Sequence, residues 1–432
     1  MSSDSALSHH RRWRIAVLLG IGVLIDFFDR VNLSVSHDSL VHAFHISDVT
    51  FGILASAYAW TYAVMQIPVG IMLDRIGVKL IGRVSALLWS ISSFLAAVAP
   101  GIGSFFAARL LLGVGEASVF PANSKATGYW FPESERSFAT SFFDAAAKLA
   151  SAIGVPVLGL LLLHFGWRWM FGFSGFISLA YCAVFWLVYR NPSQDRKLSA
   201  EEKRLLREGH AQPEGTTKTT HGASLLYLMR NREVIGASIG FAAYNWTFYL
   251  LLTWLPDYLS RTLHINLLHS VLYTSVPWAI ATVTDLTIGG WLVDHLVRRG
   301  FTAWKVRQTV LCVGMACGAG IFGAGFAHTP MQALFWISLS IGGLGAMAPV
   351  GWSIPSLIAP KESVGRIGGI MNFLTQLAAI GAPIVTGYFA KAHNFRGAFL
   401  VAALLLAIGI AAYLFLLGKM HVIAEPVSAS PE

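Results

Sequence analysis

Ionisable side chains lie inside several long apolar stretches of this sequence. Asp26, Asp29 and Arg30 fall within one stretch, and Arg109 and Glu116 fall within another. Residues three, four or seven positions apart lie near one another on a helix, so the members of each set can act together. A charged residue at the centre of a membrane helix costs about 2.5 to 3.5 kcal/mol, so it needs a partner, a wet cavity or the loss of its charge.

A buried carboxylate beside an arginine can bind and release a proton. Removal from water favours the neutral acid, whereas a neighbouring guanidinium favours the carboxylate. An anion that binds to either arginine would compete with Asp29 or Glu116, and the displaced carboxylate would then favour protonation. The pattern predicts coupled binding of protons and an organic anion. The alternative is that the charged groups form fixed ion pairs that hold helices in register.

Further polar residues extend this candidate site. Lys148 follows Asp144 by four positions, which predicts either an ion pair on one helix or a contact from Lys148 to a substrate carboxylate. Both interpretations stay open, and Asp285 has no partner in its own stretch. Polar and aromatic residues at helical spacing predict a cavity lining, although each alone could equally bond another helix or face lipid. They are Tyr62, Gln66, Asn245, Trp352, Asn372 and Gln376.

Twelve apolar stretches of membrane-spanning length would position these side chains. The chain has 432 residues, of which 55% are hydrophobic and 12% are charged, whereas a soluble domain carries about 25% charged residues. This composition excludes a soluble enzyme with a single core and a disordered chain. The sequence predicts spans at 15–35, 51–73, 80–99, 104–126, 137–163, 170–189, 234–259, 270–293, 308–327, 332–357, 367–390 and 397–418.

The distribution of positive charge predicts the orientation of these spans. Most of the 31 lysines and arginines fall in loops on the side of both termini, which places the termini in the cytoplasm. The charged segment between the sixth and seventh spans predicts a linker between two six-helix bundles. The predicted parts are a tail at 1–14, a bundle at 15–190, a linker at 191–233, a bundle at 234–418 and a tail at 419–432.

The two predicted bundles share short sequence patterns. Gly70-x-x-x-Asp74 recurs as Gly290-x-x-x-Asp294, and Ala-Ile-Gly-x-Pro ends at Pro156 in the fifth span and recurs in the eleventh. Such repeats are typical of carriers that bind substrate between two halves near the bilayer midplane and open to each side in turn.

Other motifs carry little weight. The pattern Gly318-x-Gly320-x-x-Gly323 lies within a predicted span and follows no strand, so it indicates helix packing and not a nucleotide site. A group of His37, His42, His45 and Asp48 could bind a metal, but we interpret it as a solvated loop. No set of residues predicts an enzyme, a cofactor, a metal centre or a nucleic-acid partner.

Several of these motifs resemble a known family. Gly70-x-x-x-Asp74-Arg75-x-Gly77-x-Lys79 resembles the signature of the major facilitator superfamily. Asp29-Arg30-x-Asn32, Arg109-x-x-x-Gly113-x-x-Glu116 and Trp130-Phe131-Pro132-x-x-Glu135-Arg136 resemble the anion:cation symporters within it, which include bacterial carriers of galactonate, glucarate and hexuronates. The resemblance covers essentially the whole chain.

The resemblance implies roles for individual residues. Asp29 and Glu116 correspond to protonated carboxylates, and Arg30 and Arg109 to coupling and anion-binding arginines. Tyr62, Trp352 and Asn372 match substrate-pocket positions, and a cytoplasmic gate is implied for Asp74, Arg75, Arg136 and Asp294. Where galactonate carriers have a tyrosine, a glutamine, a serine and a threonine, this chain has Phe27, Ala147 beside Lys148, Pro349 and Gly351. These departures suggest a shorter or more highly charged acid.

The expectation is an all-α carrier of twelve helices that acts as a monomer in the bacterial inner membrane. It would import a sugar acid, such as an aldonate, aldarate or hexuronate, with protons as the coupling ion and no cofactor. One alternative is a carrier of aromatic or dicarboxylic acids. An alternative of another class is a membrane sensor that does not transport.

Overall fold

A computed structural model describes residues 11–132, 135–212, 214, 224–263, 267–359 and 363–423, and the regular structure in these ranges is entirely helical. Within the described ranges, the first half of the chain contains seven α-helices. They are α1 (Arg11–Val35), α2 (His37–Phe44), α3 (Asp48–Ile76), α4 (Val78–Ala97), α5 (Ile102–Glu116), α6 (Val119–Trp130) and α7 (Arg136–Val188).

The connection and the second half continue the helical pattern. The connection contains α8 (Ala200–Glu208), where Ser199 accepts a hydrogen bond from the Glu202 amide, and α9 (Leu225–Arg230). The second half contains α10 (Arg232–Leu263), α11 (Leu267–Thr284), α12 (Val293–Arg298), α13 (Ala303–Ala319), α14 (Ile321–Ala324), α15 (Pro330–Ile358), α16 (Val364–Lys391) and α17 (Phe395–Ala411). A π-helical segment, Asp285–Leu292, joins α11 to α12, and another, Ala412–Leu417, extends α17.

Many of these helices can cross a membrane. Within the described ranges, nine helical segments are long and apolar enough, or ten if α2 and α3, bent by 113°, form one span. Large apolar side chains are exposed on their surfaces, including Val64, Trp169 and Phe415. Such a surface is unfavourable in water but suits the hydrocarbon of a bilayer. The chain therefore spans a membrane several times.

The predicted number of spans is confirmed only in part. The predicted spans at 137–163 and 170–189 fall within α7, which is broken at Gly166 by a φ of 80° that glycine adopts readily. The predicted span at 15–35 corresponds to α1, which carries Asp26, Asp29 and Arg30. The described ranges contain nine or ten helical segments that can cross a membrane, so a total of twelve spans remains a prediction.

Glycines allow the closest approaches between helices. In the first half, Gly113 of α5 faces the backbone carbonyl of Tyr58 in α3, and Gly115 faces Trp89 in α4. A side chain at either glycine would collide with the facing helix. These contacts hold α5, and with it Arg109 and Glu116, close to the neighbouring helices.

The two halves also pack closely together at the end of the molecule opposite the described termini. We call this end the distal end. A Cβ atom at Gly52 of α3 would lie 2.5 Å from the carbonyl oxygen of Pro383 in α16. A Cβ atom at Gly387 of α16 would lie 2.7 Å from the carbonyl oxygen of Asp48. The distal end is therefore closed by backbone packing between α3 and α16.

We expect the substitution Gly52→Leu to open the distal end, because its side chain would hold α3 away from α16. A cysteine introduced at buried Ala55, one turn further along α3, reports this opening. Its labelling rate with a maleimide should rise several-fold over that in the parent with Gly52. Gly101→Leu is the matched control, because no atom lies within 4 Å of its Cβ position. Equal rates in the Gly52 variant and the parent would contradict this account.

Candidate functional site

Arg30 of α1 lies between two carboxylates of the first half. Its Nη2 atom is 3.0 Å from Asp26 Oδ2, and its Nε atom donates to Glu116 Oε2 at 3.0 Å. Tyr249 of α10 reaches the same guanidinium from the second half, with 3.4 Å between Nη1 and the hydroxyl oxygen. All four side chains are buried. We call Asp26, Arg30 and Glu116 the Arg30 triad. It contains one cation and two acids, and its contact with Tyr249 places it at the boundary between the halves.

Asp29 points away from this triad. Its carboxylate accepts hydrogen bonds from the hydroxyls of Ser93 at 2.6 Å and Ser178 at 3.2 Å, both within the first half. Arg109 Nη1 instead donates to the backbone carbonyl of Asp29 at 2.9 Å. The geometry therefore brings Glu116, and not the Asp29 carboxylate, to an arginine. A coupling role for Asp29 stays a prediction.

Lys148 of α7 forms a second triad, which also contains one cation and two acids. Its Nζ atom lies 2.6 Å from Asp144 Oδ2 and 2.7 Å from Asp285 Oδ2. Asp144 is on the same helix, as the spacing predicts, whereas Asp285 belongs to the second half. We call Asp144, Lys148 and Asp285 the Lys148 triad. Sequence analysis did not find the pairing across the halves, because no local spacing links residues on different bundles.

Two cavities adjoin the triads and receive side chains from both halves. Cavity 1 is small, with a volume of about 10 Å³, and its polar lining includes Arg30, Tyr58, Arg109, Tyr249 and Thr253. Within the described part of the chain, buried Arg109 Nε has no hydrogen-bond partner. Cavity 2, also of about 10 Å³, is lined by Lys148, Tyr244, Phe248, Trp278, Ala281, Ile341, Leu344 and Gly345. Each cavity therefore contains at least one buried cation.

Three of the predicted pocket residues form a polar bridge between the halves. Asn372 of α16 donates from Nδ2 to Gln66 Oε1 of α3 at 3.0 Å. Gln376 donates to Asn372 Oδ1 at 3.4 Å, and Gln66 donates to the carbonyl of Ala117 at 3.3 Å. Ala117 directly follows Glu116, so this bridge lies next to the Arg30 triad.

The remaining predicted pocket residues are Tyr62, Trp352 and Asn245. Arg30 stacks over the Tyr62 ring with 5.7 Å between its Cζ atom and the ring centroid. Trp352 of α15 stacks on Phe120 of α6 across the halves, with 6.4 Å between centroids, and is 38% exposed. Asn245 donates to the carbonyl of Phe241 in its own helix at 3.0 Å.

The interpretation of the histidine group as a solvated loop is wrong for His37. This residue begins α2 and is buried, although His42 and His45 are exposed. Its ring nitrogens lie 3.1 Å from Asp257 of α10 and 3.2 Å from Asp48 of α3. Burial among charged partners from two halves, which a local sequence window does not show, keeps this segment helical and packed.

Arg261 of α10 completes this distal cluster. Its guanidinium lies 2.8 Å from Asp257, 2.9 Å from Asp48 and 3.4 Å from Asp38. The cluster of His37, Asp38, Asp48, Asp257 and Arg261 therefore joins the two halves where Gly52 and Gly387 bring them together.

Loss of Arg261 should loosen the distal end, because Asp38 and Asp48 would lose their cation from the second half. In Arg261→Gln, we expect faster maleimide labelling of a cysteine at Ala55 than in the parent. Arg298→Gln is the control, because Arg298 is exposed and its Nε atom donates within its own helix, to the carbonyl of Asp294. A labelling rate that matches this control would show that the ion pairs do not contribute to closure.

The structure does not test the predicted gate as a whole. Arg75 and Asp294 are exposed, and Arg136 donates from Nη2 to the carbonyl of His210 in the connection at 2.6 Å. The side chain of Asp74 lies outside the residues whose side chains the structure describes. The gate role of these four residues therefore stays a prediction.

Comparisons with known proteins agree with this architecture. The family model for the Major Facilitator Superfamily matches residues 19–382. The chain is 39% identical over 413 residues to the uncharacterized transporter YybO of Bacillus subtilis strain 168, with 95% of each chain covered. It is 30% identical over 423 residues to the D-galactonate transporter of Escherichia coli O6:H1, covering 96% of this chain and 98% of the relative.

A solved structure shares the fold. It is a bacterial homologue of the human lysosomal transporter Spinster in an inward-facing, unoccupied conformation, with a TM-score of 0.74 at 17% identity. The match covers 95% of this chain and 98% of that one.

Proposed function

The chain belongs to the major facilitator superfamily and is a membrane transporter, and from this premise we propose that it is a symporter that imports a sugar acid with protons by alternating access. The proposed substrate is an aldonate, an aldarate or a hexuronate. The transported solute and the coupling proton would share the buried region between the two halves.

One observation carries the proposal: Arg30 and Arg109 line one cavity between the halves, and Arg30 is already paired with two carboxylates. A substrate carboxylate can replace Glu116 on Arg30, because both present the same oxygen pair to the guanidinium. Once displaced into a dry site, Glu116 favours its neutral form and takes up a proton. Substrate and proton binding then support each other.

The membrane potential would add to the driving force. Each net positive charge that moves inward gains about 2.3 kcal/mol per 100 mV of inside-negative potential. Two protons that enter with one monoanion would use this gain. Import in the bacterial inner membrane is therefore the proposed direction and location.

The proposed topology has twelve spans, both termini in the cytoplasm and two six-helix halves at 15–190 and 234–418. Two features support it. The break at Gly166 divides α7 into two segments of membrane length, and the connection between the halves begins near Asn191 and carries most of its charge in α8 and its flanks. The distal end is then the periplasmic side, and a single chain is the proposed transporting unit.

Transport by purified protein in liposomes tests the function. We expect uptake of at least one labelled sugar acid, and we expect a pH gradient, acid outside, to increase it. The same vesicles tested with aromatic acids and with short dicarboxylates separate the proposal from the alternative substrate classes. Binding of a sugar acid without any uptake would instead favour a sensor.

We expect Arg109→Ala to weaken substrate binding about ten-fold or more, because a charge-assisted hydrogen bond contributes about 1.5 to 3 kcal/mol. The measurement is the dissociation constant of purified protein for the acid that the uptake assay identifies. Arg168→Ala is the control, because Arg168 donates to the carbonyls of Ala97 and Ala99 away from both cavities. Unchanged affinity in Arg109→Ala would exclude Arg109 as an anion anchor.

A further inference from the structure

We propose that Lys148 is a second carboxylate-binding cation that selects sugar acids with a carboxylate at each end, and that Asp285 occupies Lys148 until such a substrate arrives. The inference rests on the proposed function and narrows its substrate class to the aldarates. It also gives the second half of the chain a direct part in recognition.

The composition of the Lys148 triad supports exchange of one carboxylate for another. Lys148 holds Asp144 from its own helix at 2.6 Å and Asp285 from the other half at 2.7 Å. A single ammonium therefore faces two carboxylates in a buried site, as the Arg30 guanidinium does. Asp144 alone is enough to pair Lys148, so Asp285 can leave without stranding the cation.

The position of the triad also suits a bound acid. Lys148 lines cavity 2 together with Tyr244 and Phe248 of α10. The Phe248 ring contacts the Phe27 ring at 6.5 Å between centroids, and Arg30 stacks on Phe27 at 4.4 Å. Arg30 thus lies against one ring of this aromatic pair, and Lys148 lines the same cavity as the other ring. A solute with two carboxylates that lies along this pair would place one on each cation.

The local backbone of Asp285 is a separate indication. Asp285 begins the π-helical segment Asp285–Leu292, and π-helical turns inside α-helices occur frequently at functional sites. The segment packs against α15, where Gly289 faces the carbonyl of Ala346. The hydrogen-bond register of the helix thus changes at the residue whose carboxylate meets Lys148.

Charge balance determines what happens when the second carboxylate arrives. The charged or titratable groups around Asp285 are Lys148, Asp144 and Tyr244. A substrate carboxylate on Lys148 would leave Asp285 as an unpaired buried acid, which is unfavourable unless it binds a proton. Each substrate carboxylate would therefore bring one protonated acid with it, Glu116 at one end and Asp285 at the other. A monocarboxylate would leave the Lys148 triad unchanged.

Two acids with the same carbon skeleton test this proposal. Galactarate and galactonate have the same hydroxyl configuration and differ at one end, where one has a carboxylate and the other a hydroxymethyl group. Calorimetric titration of the purified full-length protein should show that wild type binds galactarate about ten-fold or more tightly than galactonate. Lys148→Gln should lose this preference and keep its affinity for galactonate, and Lys148→Arg should retain the preference.

Two further variants separate the effect of Lys148 on binding from effects on folding and on net charge. The pair Lys148→Gln with Asp285→Asn leaves one buried acid, Asp144, without its cation, whereas Lys148→Gln alone leaves two, so the double variant should be more stable than Lys148→Gln. This double variant should also bind the two acids equally. Lys305→Gln is the control for loss of one positive charge, because Lys305 is exposed on α13, and it should keep the preference for galactarate.

The outcomes separate this inference from the proposed function. Equal affinity of wild type for the two acids, or a preference for galactonate, would overturn the role of Lys148 while leaving a sugar-acid carrier. Equal loss of both acids in Lys148→Gln and in the double variant would overturn it too, since Lys148 would then be structural. Failure of wild type to bind any sugar acid would instead overturn the proposed function itself.

Discussion

Glu116→Gln is expected to keep the exchange of substrate across a membrane but to lose accumulation driven by a pH gradient. The Oε2 atom of Glu116 accepts a hydrogen bond from Arg30 Nε at 3.0 Å and lies 2.9 Å from Arg30 Nη2, and a glutamine oxygen can replace it there. The amide of glutamine cannot bind and release a proton at physiological pH. Transport should then no longer be tied to the gradient.

The size of the loss follows from the energy of the gradient. A difference of one pH unit supplies about 1.4 kcal/mol per proton, which corresponds to about ten-fold accumulation for each coupled proton. In liposomes with a pH gradient, wild type should concentrate its substrate, whereas the accumulation ratio of Glu116→Gln should fall by about this factor for each unit. Counterflow with labelled substrate on one side measures the exchange that remains.

A second buried glutamate provides the control. Glu202 of α8 pairs with Arg12 at 3.3 Å, near the described N-terminal end of the chain and away from both cavities. Glu202→Gln makes the same chemical change outside the site, so its accumulation should match wild type. Intact accumulation in Glu116→Gln would remove Glu116 from the coupling step.

The helices could be predicted because each depends on a continuous stretch of sequence. An apolar run of membrane length indicates a helix by itself, and α3 (Asp48–Ile76) extends the predicted 51–73 by only three residues at each end. The predicted spans at 137–163 and 170–189 also leave a gap that contains Gly166, where α7 is broken. The π-helical segment at Asp285 was not predicted, because it depends on how a helix packs against its neighbours, which the hydropathy of its own residues does not reveal.

In the candidate site, too, contacts within one helix could be predicted from the sequence, whereas contacts between helices could not. The pairing of Asp26 with Arg30 could be predicted, because the two residues are four positions apart on one helix. The contact of Arg30 with Glu116 needs α1 and α5 to pack side by side, although the cost of a lone buried charge indicated that each required a partner. For Asp285 that cost was the only available signal. It predicted a partner but could not identify Lys148.

The distal cluster shows a limit of composition-based reasoning. Histidines and an aspartate between two spans resemble a solvated loop, and His42 and His45 are indeed exposed. His37 differs because Asp257 and Arg261, four positions apart on α10, present opposite charges to it and to Asp48. Two charges one turn apart near the end of a predicted span were visible in the sequence, but their partners on the other half were not.

Arg30→Gln should have the most severe effect of any single substitution in the site, because it removes the shared cation of Asp26 and Glu116. Breaking a buried ion pair by removing one partner destabilises a protein by about 3 to 5 kcal/mol. We therefore expect a lower unfolding temperature in detergent, together with uptake reduced about a hundred-fold or more, since the proposed substrate site also loses one of its cations.

A double variant distinguishes lost folding from lost binding. In Arg30→Gln with Glu116→Gln, one of the two unpaired acids is neutral, so much of the thermal stability should return. Substrate binding should not return, because the guanidinium is still missing. If the double variant recovers both stability and binding, Arg30 acts only to neutralise the acids around it. If stability returns without binding, Arg30 contacts the transported anion.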